Sequence, residues 1–403
     1  MPRSRQPLLT SAFVRILAMQ ALFGASQACY VLLPKFLATE LEAAAPDIGA
    51  IAAMYSVAVV VLVPTVGAGI DRFGRRLFLL IGNAVSTGSA LAFAWVDELG
   101  PAVYLLRGLQ GVGFACVFIA ASTLVADYVP QRLGQALAVL SSTMHGTSAT
   151  VPLVVESVAD SSGWSPVFVA SAVCAAGAWV VSFWIRNRTT CAASRPVPAA
   201  GMASFLRRGV AWRTLFVVSM VGVAVSGLMV FIQPFVLERG IERVAPFLVS
   251  YSAVAMAVRV FFGGWLDRFD RYLSTTGAVG GYTLLLTLVP WATSAWLIPL
   301  GALFGVVHGA FFPAFNAMGL QGTDPDERGK SVAIVNGSFN VGFAAGNFGL
   351  GYAAAAWGYS SVFGIAATGM GAAFGMLLAV RGAERWSLAQ RPGGPAETRR
   401  NPS

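Results

Sequence analysis

The chain has 403 residues, of which 56% are hydrophobic and only 11% are charged, and its mean hydropathy is +0.70. Soluble domains carry about 25% charged residues, so the composition excludes a water-soluble globular protein and indicates an integral membrane protein. The formal net charge of +9 does not indicate nucleic-acid binding, because the basic residues lie in the gaps between apolar runs.

The apolar runs predict the helices of the fold, since a helix of about 20 apolar residues crosses a bilayer. We predict twelve spans, at about 13–37, 47–69, 77–95, 101–126, 133–158, 164–185, 214–238, 245–265, 273–293, 296–319, 330–352 and 357–380. The longest break is arginine-rich and predicts a linker between two halves. The expected fold is all-α, with two pseudo-symmetric six-helix bundles. Its parts are an N-terminus at 1–12, bundles at 13–185 and 214–380, a linker at 186–213 and a disordered tail at 381–403.

The orientation follows from the basic residues, because cytoplasmic loops retain Lys and Arg. With the N-terminus inside, 21 of the 27 basic residues fall on the inner side and 3 on the outer side. Lys35 is placed in an outer loop by this count. We therefore expect a multi-pass protein of the cytoplasmic (inner) membrane, with both termini in the cytoplasm.

Two short segments repeat at the same place in each half. They read GAGIDRFGRR at 67–76 and GGWLDRFDRY at 263–272, 196 residues apart. Each places a glycine four residues before an aspartate, which favours close approach of two helices or a bend. The repeat indicates an internal duplication, as many transporters contain.

Three motifs together resemble the major facilitator superfamily. The helix 2–3 signature is matched by Gly67, Asp71, Arg72, Gly74, Arg75 and Arg76. The helix-4 motif is matched by Arg107, Gln110, Gly111 and Gly113, within RGLQGVG. The helix 4–5 loop is matched by Asp127, Pro130 and Arg132, and DPDERGK at 324–330 is its counterpart in the second half.

The resemblance implies two bundles that rock about a central substrate site, with helices 1, 4, 7 and 10 lining it. It also implies a cytoplasmic gate, in which Asp71 and Arg75 cluster with Asp127 and Arg132 against helix 11. In the second copy, Asp267 and Arg268 follow the pattern, but Asp270 replaces the glycine. This favours a structural role for the second copy, as a product of the duplication, and a gate role for the first.

Four residues inside the spans are candidates for proton coupling or for the cavity: Arg107, Gln110, Glu156 and His308. An intramembrane arginine is costly and marks function by default, although Arg107 also has the alternative of snorkelling to the outer surface. Glu156 has two interpretations, a proton carrier or a side chain that faces the outer vestibule.

Further polar residues are candidates for lining the substrate cavity: Gln20, Gln27, Tyr30, His145, Gln233, Asn316, Asn336 and Asn340. Hydrogen bonding between helices is the alternative for each of them.

The function indicated is proton-coupled efflux of a small apolar or amphipathic compound. A glycine-rich phosphate loop is missing from the sequence, which argues against an ATPase. Two departures weigh on the antiport assignment, because the helix-5 region matches the antiporter motif weakly and helix 1 has no acid. The alternatives are a proton-coupled importer of a sugar or other metabolite and a non-transporting membrane sensor. An enzyme is disfavoured, and the expected partners are a small-molecule substrate, protons and the lipid bilayer. We expect a monomer without cofactor, metal or nucleic acid.

Overall fold

The protein is described by a computed structural model over residues 10–187, 209–261, 271–319 and 328–389, and every element in these ranges is helical. Asp267 and Arg268 lie outside these residues. At Asp71 and Asn316 the backbone is helical, but their side chains are outside the description.

The first half contains seven helical segments. They are α1 (Ser11–Cys29), α2 (Leu33–Thr39), α3 (Ala45–Phe73), α4 (Arg75–Phe93), α5 (Pro101–Tyr128), α6 (Leu133–Ser162) and α7 (Ser165–Ser182). The second half contains α8 (Gly209–Ser226), α9 (Ile232–Glu238), α10 (Ala245–Phe261), α11 (Arg271–Leu288), α12 (Leu297–Gly319), α13 (Arg328–Trp357) and α14 (Tyr359–Ala389).

Nine helical segments of the described residues are long and apolar enough to cross a membrane, counting α1–α2 and α8–α9 as one each. Helix α10 is apolar but shorter, and α6 and α13 are not among the nine. Backbone polar groups in a bilayer need internal hydrogen bonds, which helices supply. The protein is therefore a multi-pass helical membrane protein.

The helices form two groups, α1–α7 and α8–α14, that pack mainly within themselves. The main helix pairs that join the groups are α3 with α13, α6 with α10, and α2 with α9. The contacts of Ala45 with Gly351 and of Gly49 with Asn347 show that α3 and α13 run antiparallel.

Charged residues mark two opposite ends of the molecule, the Lys35 end and the Arg75 end. The Lys35 end contains the end of α2, the start of α3, the end of α6 and the start of α10. The Arg75 end, at the opposite edge, contains the end of α3, the start of α4, the end of α5 and the start of α6.

The first helix of each half is interrupted at an equivalent position, which the span prediction did not anticipate. A 3₁₀ turn at Tyr30–Leu32 precedes Pro34, and a π-helical turn at Gly227–Phe231 precedes Pro234. A proline lacks the N–H that would continue the helical ladder, so each break follows from its proline. The prolines at equivalent positions of the two halves were the sequence signal that could have predicted these interruptions.

The last helix differs from the expected boundary at 380, because α14 continues to Ala389. Residues 381–389, which we expected to belong to the disordered tail, contain helix-forming Ala, Glu, Arg and Leu and no proline. The next proline is Pro392, and helices usually end before one.

Candidate functional site

A cavity of about 270 Å³ lies between the two halves. Its lining comes from α1, α2, α3, α5 and α6, from the π-helical turn before α9, and from α13. The lining residues are Gly24, Gln27, Ala28, Tyr30, Val31, Leu33, Pro34, Leu37, Ile48, Ala52, Tyr55, Arg107, Phe114, Met144, Ser148, Met229, Val230 and Phe343.

The cavity lining agrees only partly with the helices that the family resemblance implied. Spans 1, 4 and 7 contribute, whereas the described residues of α12, which is span 10, supply no lining residue. Among the candidate residues, Gln27, Tyr30 and Arg107 line it.

Arg107 turns into the protein rather than outward to the membrane surface, so the snorkelling alternative does not describe this structure. Its Nη1 donates a hydrogen bond to Gln110 Oε1 at 2.7 Å. The guanidinium carbon lies 4.5 Å from the ring centroid of Tyr55 and 5.8 Å from that of Tyr30. Both distances fall within the range of cation–π attraction.

Tyr55 is a site residue that sequence reasoning missed. It lies on α3, its hydroxyl accepts a hydrogen bond from Gln27 Nε2 at 3.4 Å, and its ring packs on Phe114. A tyrosine in an apolar run was the available signal, but α3 was not among the helices expected at the cavity.

Lys35 and Glu156 form a buried ion pair at the Lys35 end. Lys35 Nζ lies 2.9 Å from Glu156 Oε1, and the two residues are only 6% and 4% exposed. Lys35 Nζ also donates to the backbone oxygen of Glu242 at 2.9 Å and lies 3.5 Å from Asp160 Oδ1. The placement of Lys35 in an outer loop was therefore wrong, because it belongs to α2 and is buried.

Glu156 also holds the start of α10, which belongs to the second half. Its Oε1 accepts from Val244 N at 2.8 Å, and its Oε2 accepts from Ala245 N at 3.0 Å. Carboxylates are stabilised at a helix N-terminus, where N–H groups lack helical partners. The carboxylate is enclosed between the halves, so Glu156 does not face an open vestibule in this structure.

Gln233 makes a second connection between the halves. Its Oε1 accepts from the backbone N–H of Lys35 at 3.1 Å, and its Nε2 donates to the oxygen of Val31 at 2.7 Å. Gln233 therefore joins helices rather than lining the cavity.

Glycines allow α3 and α13 to touch near the Lys35 end. A Cβ at Gly49 would lie 2.1 Å from the backbone oxygen of Asn347, and a Cβ at Gly351 would lie 2.7 Å from that of Ala45. No side chain fits at such distances without moving a backbone. This end of the interface is therefore tightly closed.

At the Arg75 end, a bidentate ion pair joins α4 to α5. Arg75 Nε lies 2.7 Å from Asp127 Oδ2, and Arg75 Nη2 donates to Asp127 Oδ1 at 3.2 Å. Arg76 donates through Nη2 to the oxygen of Phe183 at 2.8 Å. These contacts lie within the first half, and Arg132, which sits in the turn Pro130–Arg132, is not part of them.

Two glycines of the helix 2–3 signature, Gly67 and Gly74, have different surroundings. Gly74 ends α3 with a φ of +86°, a conformation that strongly favours glycine. At Gly67, where we expected close helix approach, a Cβ would meet no atom of the described residues within 4 Å. Arg72, between them, lies with its guanidinium 5.1 Å from the ring centroid of Phe73.

The histidines occupy two different sites. His145 of α6 forms a hydrogen bond with Arg259 of α10, which joins the halves. His308 lies among Tyr251, Tyr282 and Phe304, with its Nδ1 2.6 Å from the Tyr282 hydroxyl.

The remaining candidates whose side chains the structure describes do not line the cavity. Gln20 is buried, and its Oε1 has no hydrogen-bond partner among the described residues. Asn340 donates through Nδ2 to the oxygen of Asn336, one turn earlier in α13. Within the described ranges, no group of three metal-ligating side chains comes together.

Long apolar helices in two groups, with a cavity between the groups and a tight closure on one side of it, define a helical membrane transport protein. The sequence matches the family model described as Major Facilitator Superfamily over residues 16–329 and 247–401. The chain therefore belongs to the major facilitator superfamily, and it is a transporter of small molecules rather than an enzyme. No curated protein matches the sequence significantly.

Solved structures share this fold at low sequence identity. The nucleoside transporter NupG has a TM-score of 0.76 at 13% identity, covering 92% of this chain and 99% of its own. A bacterial homologue of the human lysosomal transporter Spinster, in an inward-facing and unoccupied conformation, has a TM-score of 0.71 at 14% identity, covering 93% and 95%. The human organic anion transporter TETRAN has a TM-score of 0.66 at 16% identity, covering 91% and 98%. These likenesses show the fold alone.

Proposed function

We propose that the chain is a secondary active transporter that exports a small organic compound from the cytoplasm in exchange for protons. Twelve spans in two six-helix bundles would alternate between two states around the central cavity. The observation that carries the proposal is the asymmetry of the interface. The halves are joined by buried contacts at the Lys35 end, whereas at the Arg75 end a Cβ at Gly67 of the interface helix α3 would meet no atom of the described residues within 4 Å.

The charge distribution supports an orientation for this asymmetry. The basic residues favour a cytoplasmic Arg75 end in the inner membrane, with both termini inside. The Lys35 end then faces outward, and the structure corresponds to a state closed to the outside.

The charged residues support a division of roles. Gly67, Asp71, Arg72, Gly74, Arg75, Arg76, Asp127 and Arg132 form the proposed cytoplasmic gate, with Asp267 and Arg268 as the second copy. Arg107, at the cavity, is placed to contact the cargo or to take part in proton coupling through its positive charge. Glu156 makes contacts that hold the outer closure, which suits a role in coupling protons to opening.

The direction of transport is tested by accumulation in cells with and without the gene, using a panel of labelled small organic compounds. Export predicts lower accumulation in cells that make the protein, with the difference lost when an uncoupler collapses the proton gradient. Higher accumulation would establish the alternative, a proton-coupled importer of a metabolite. A difference that survives the uncoupler would contradict proton coupling.

A further inference from the structure

The charge inside the cavity carries an inference about the cargo. Arg107 is the one arginine or lysine among the described residues that line the cavity, and that lining contains no aspartate or glutamate. An arginine side chain stays protonated at physiological pH, so the cavity holds a fixed positive charge.

No carboxylate neutralises this charge in the part of the chain that the structure describes. The ion pairs there involve Lys35 and Arg75. Asp47, the acid at the start of α3, accepts instead from the Tyr104 hydroxyl at 2.6 Å. The Nε of Arg107 is buried and has no hydrogen-bond partner within the described ranges.

The surroundings of Arg107 leave a place for an anion. Neutral groups hold it, since one nitrogen donates to Gln110 and the flat guanidinium faces the ring of Tyr55. A charged group in a membrane protein interior costs about 2.5 kcal/mol or more when unpaired. A bound carboxylate would offset that cost by accepting two parallel N–H bonds, a geometry for which the guanidinium is suited.

The rest of the lining suits an apolar body. Phe114, Met144, Met229 and Phe343 contribute aromatic and thioether surface. The volume of about 270 Å³ is slightly below the usual range for drug-sized ligands, roughly 300–1,000 Å³. The space therefore suits a compound of about one ring.

The geometry points to a small organic monoanion as the cargo, with its carboxylate on Arg107 and its apolar body against the aromatic and methionine wall. This inference rests on the proposed transport function, because it names the substrate class of the same cavity. It narrows the sequence-based expectation of a weakly polar cargo and disfavours organic cations, which would meet an uncompensated positive charge.

The test is a charge series on one ring, with benzoate, benzamide and benzylammonium as probes for the purified full-length protein in nanodiscs. Binding is measured by displacement of labelled benzoate and by the shift in thermal unfolding temperature. We expect benzoate to bind about tenfold or more tightly than benzamide, because a hydrogen bond to a charged group contributes about 1.5–3 kcal/mol. Benzylammonium is expected to give no shift.

Variants of Arg107 test whether this residue causes the preference for benzoate over benzamide. Arg107→Gln should remove the advantage of benzoate over benzamide, and Arg107→Lys should retain part of it. Arg239→Gln is the matched control, because Arg239 also lies over an aromatic ring, 4.3 Å from the Phe235 centroid, but is exposed and outside the cavity. This control should keep the full preference.

The inference is overturned if benzoate binds no more tightly than benzamide, if it does not bind, or if Arg107→Gln keeps the preference. If Arg107→Gln fails to fold, the inference is still tested by the charge series on the wild type and by the partial preference expected of Arg107→Lys. Export in cells without a charge preference would remove this inference alone. A charge preference without export would remove the proposed function and leave the binding site.

Discussion

Lys35 and Glu156 hold two oppositely charged groups whose side chains are almost fully buried in the protein. Removing one partner of such a pair costs more than the pair contributes, because the remaining charge stays buried. Each residue also bonds the second half, through the Glu242 oxygen and the N-terminus of α10. The pair therefore connects ionisation to the contact between the halves.

We predict that Lys35→Gln shifts the protein away from the state closed at the Lys35 end. The uncompensated Glu156 carboxylate should cost about 3 kcal/mol in that state, roughly a hundredfold in the ratio of the two states. The measurement is labelling of single cysteines placed along the cavity by a membrane-impermeant reagent added from outside. Labelling should rise in Lys35→Gln.

Asp160→Asn is the matched control for this prediction. Asp160 lies 3.5 Å from the same ammonium, but its side chain is 50% exposed, and exposed ion pairs contribute little. Its labelling should match the wild type. Unchanged labelling in Lys35→Gln would show that the pair does not hold this closure.

The sequence predicted the role of some charged residues better than that of others. Arg75 and Asp127 belong to contiguous motifs, and the structure brings them together. Lys35 follows an apolar run and looked like a loop residue, because its burial depends on contacts distant in the chain, 121 residues away at Glu156 and further at Glu242 of the second half. Contacts of that kind depend on the arrangement of helices, which a hydropathy pattern does not contain.

Helices α3 and α13 approach each other closely across the interface between the halves. Helix α13 also uses glycines against its own half, since a Cβ at Gly342 would lie 2.1 Å from the backbone oxygen of Ser219. Small residues allow such approach in membranes, where packing and hydrogen bonds replace the hydrophobic effect. The glycines of α13, together with Asn336, Asn340 and Asn347, lower its hydropathy, and α13 is not among the nine apolar spans of the described residues.

We predict that Gly49→Val destabilises the closed Lys35 end, because its Cβ would lie 2.1 Å from a backbone oxygen and the helices would have to part. External labelling of cavity cysteines should increase, and the unfolding temperature should fall. Gly88→Val is the control, since no described atom lies within 4 Å of a Cβ there. Equal behaviour of the two variants would contradict a role for the α3–α13 contact.

The arrangement of helices across the membrane follows from two constraints that act on every membrane helix, its apolar length and the side on which its basic residues lie. Apolar length and the placement of basic residues depend on the bilayer alone, so the sequence indicated most of the helices closely. The state of the molecule was not predictable, because one sequence must allow two arrangements of its halves. The cavity lining also differed from the family pattern, because α3, α6 and α13 contribute to it and the described residues of span 10 do not.

We predict the opposite shift for a bulky residue at the far end of the same helix. Gly67→Leu should leave this state intact, because a Cβ there meets no described atom within 4 Å, but should obstruct closure of the Arg75 end. External labelling should fall below wild type and transport should be lost, while the unfolding temperature stays unchanged. Raised external labelling would contradict it, and Gly88→Val again serves as the control.

The amide of Gln233 has a consequence for the hydrogen bonding of the first helix. In an uninterrupted helix the N–H of Lys35 would donate to the oxygen of Val31, four residues earlier. Here the Gln233 side chain is inserted into that bond, with its oxygen on one group and its nitrogen on the other. When the halves separate, this N–H is free to bond the Val31 oxygen, whereas the break before Pro34 remains because proline has no N–H to donate. The bonds that Gln233 makes thus belong to the docked pair of halves, so undocking changes the hydrogen bonding of the wall that touches the cargo.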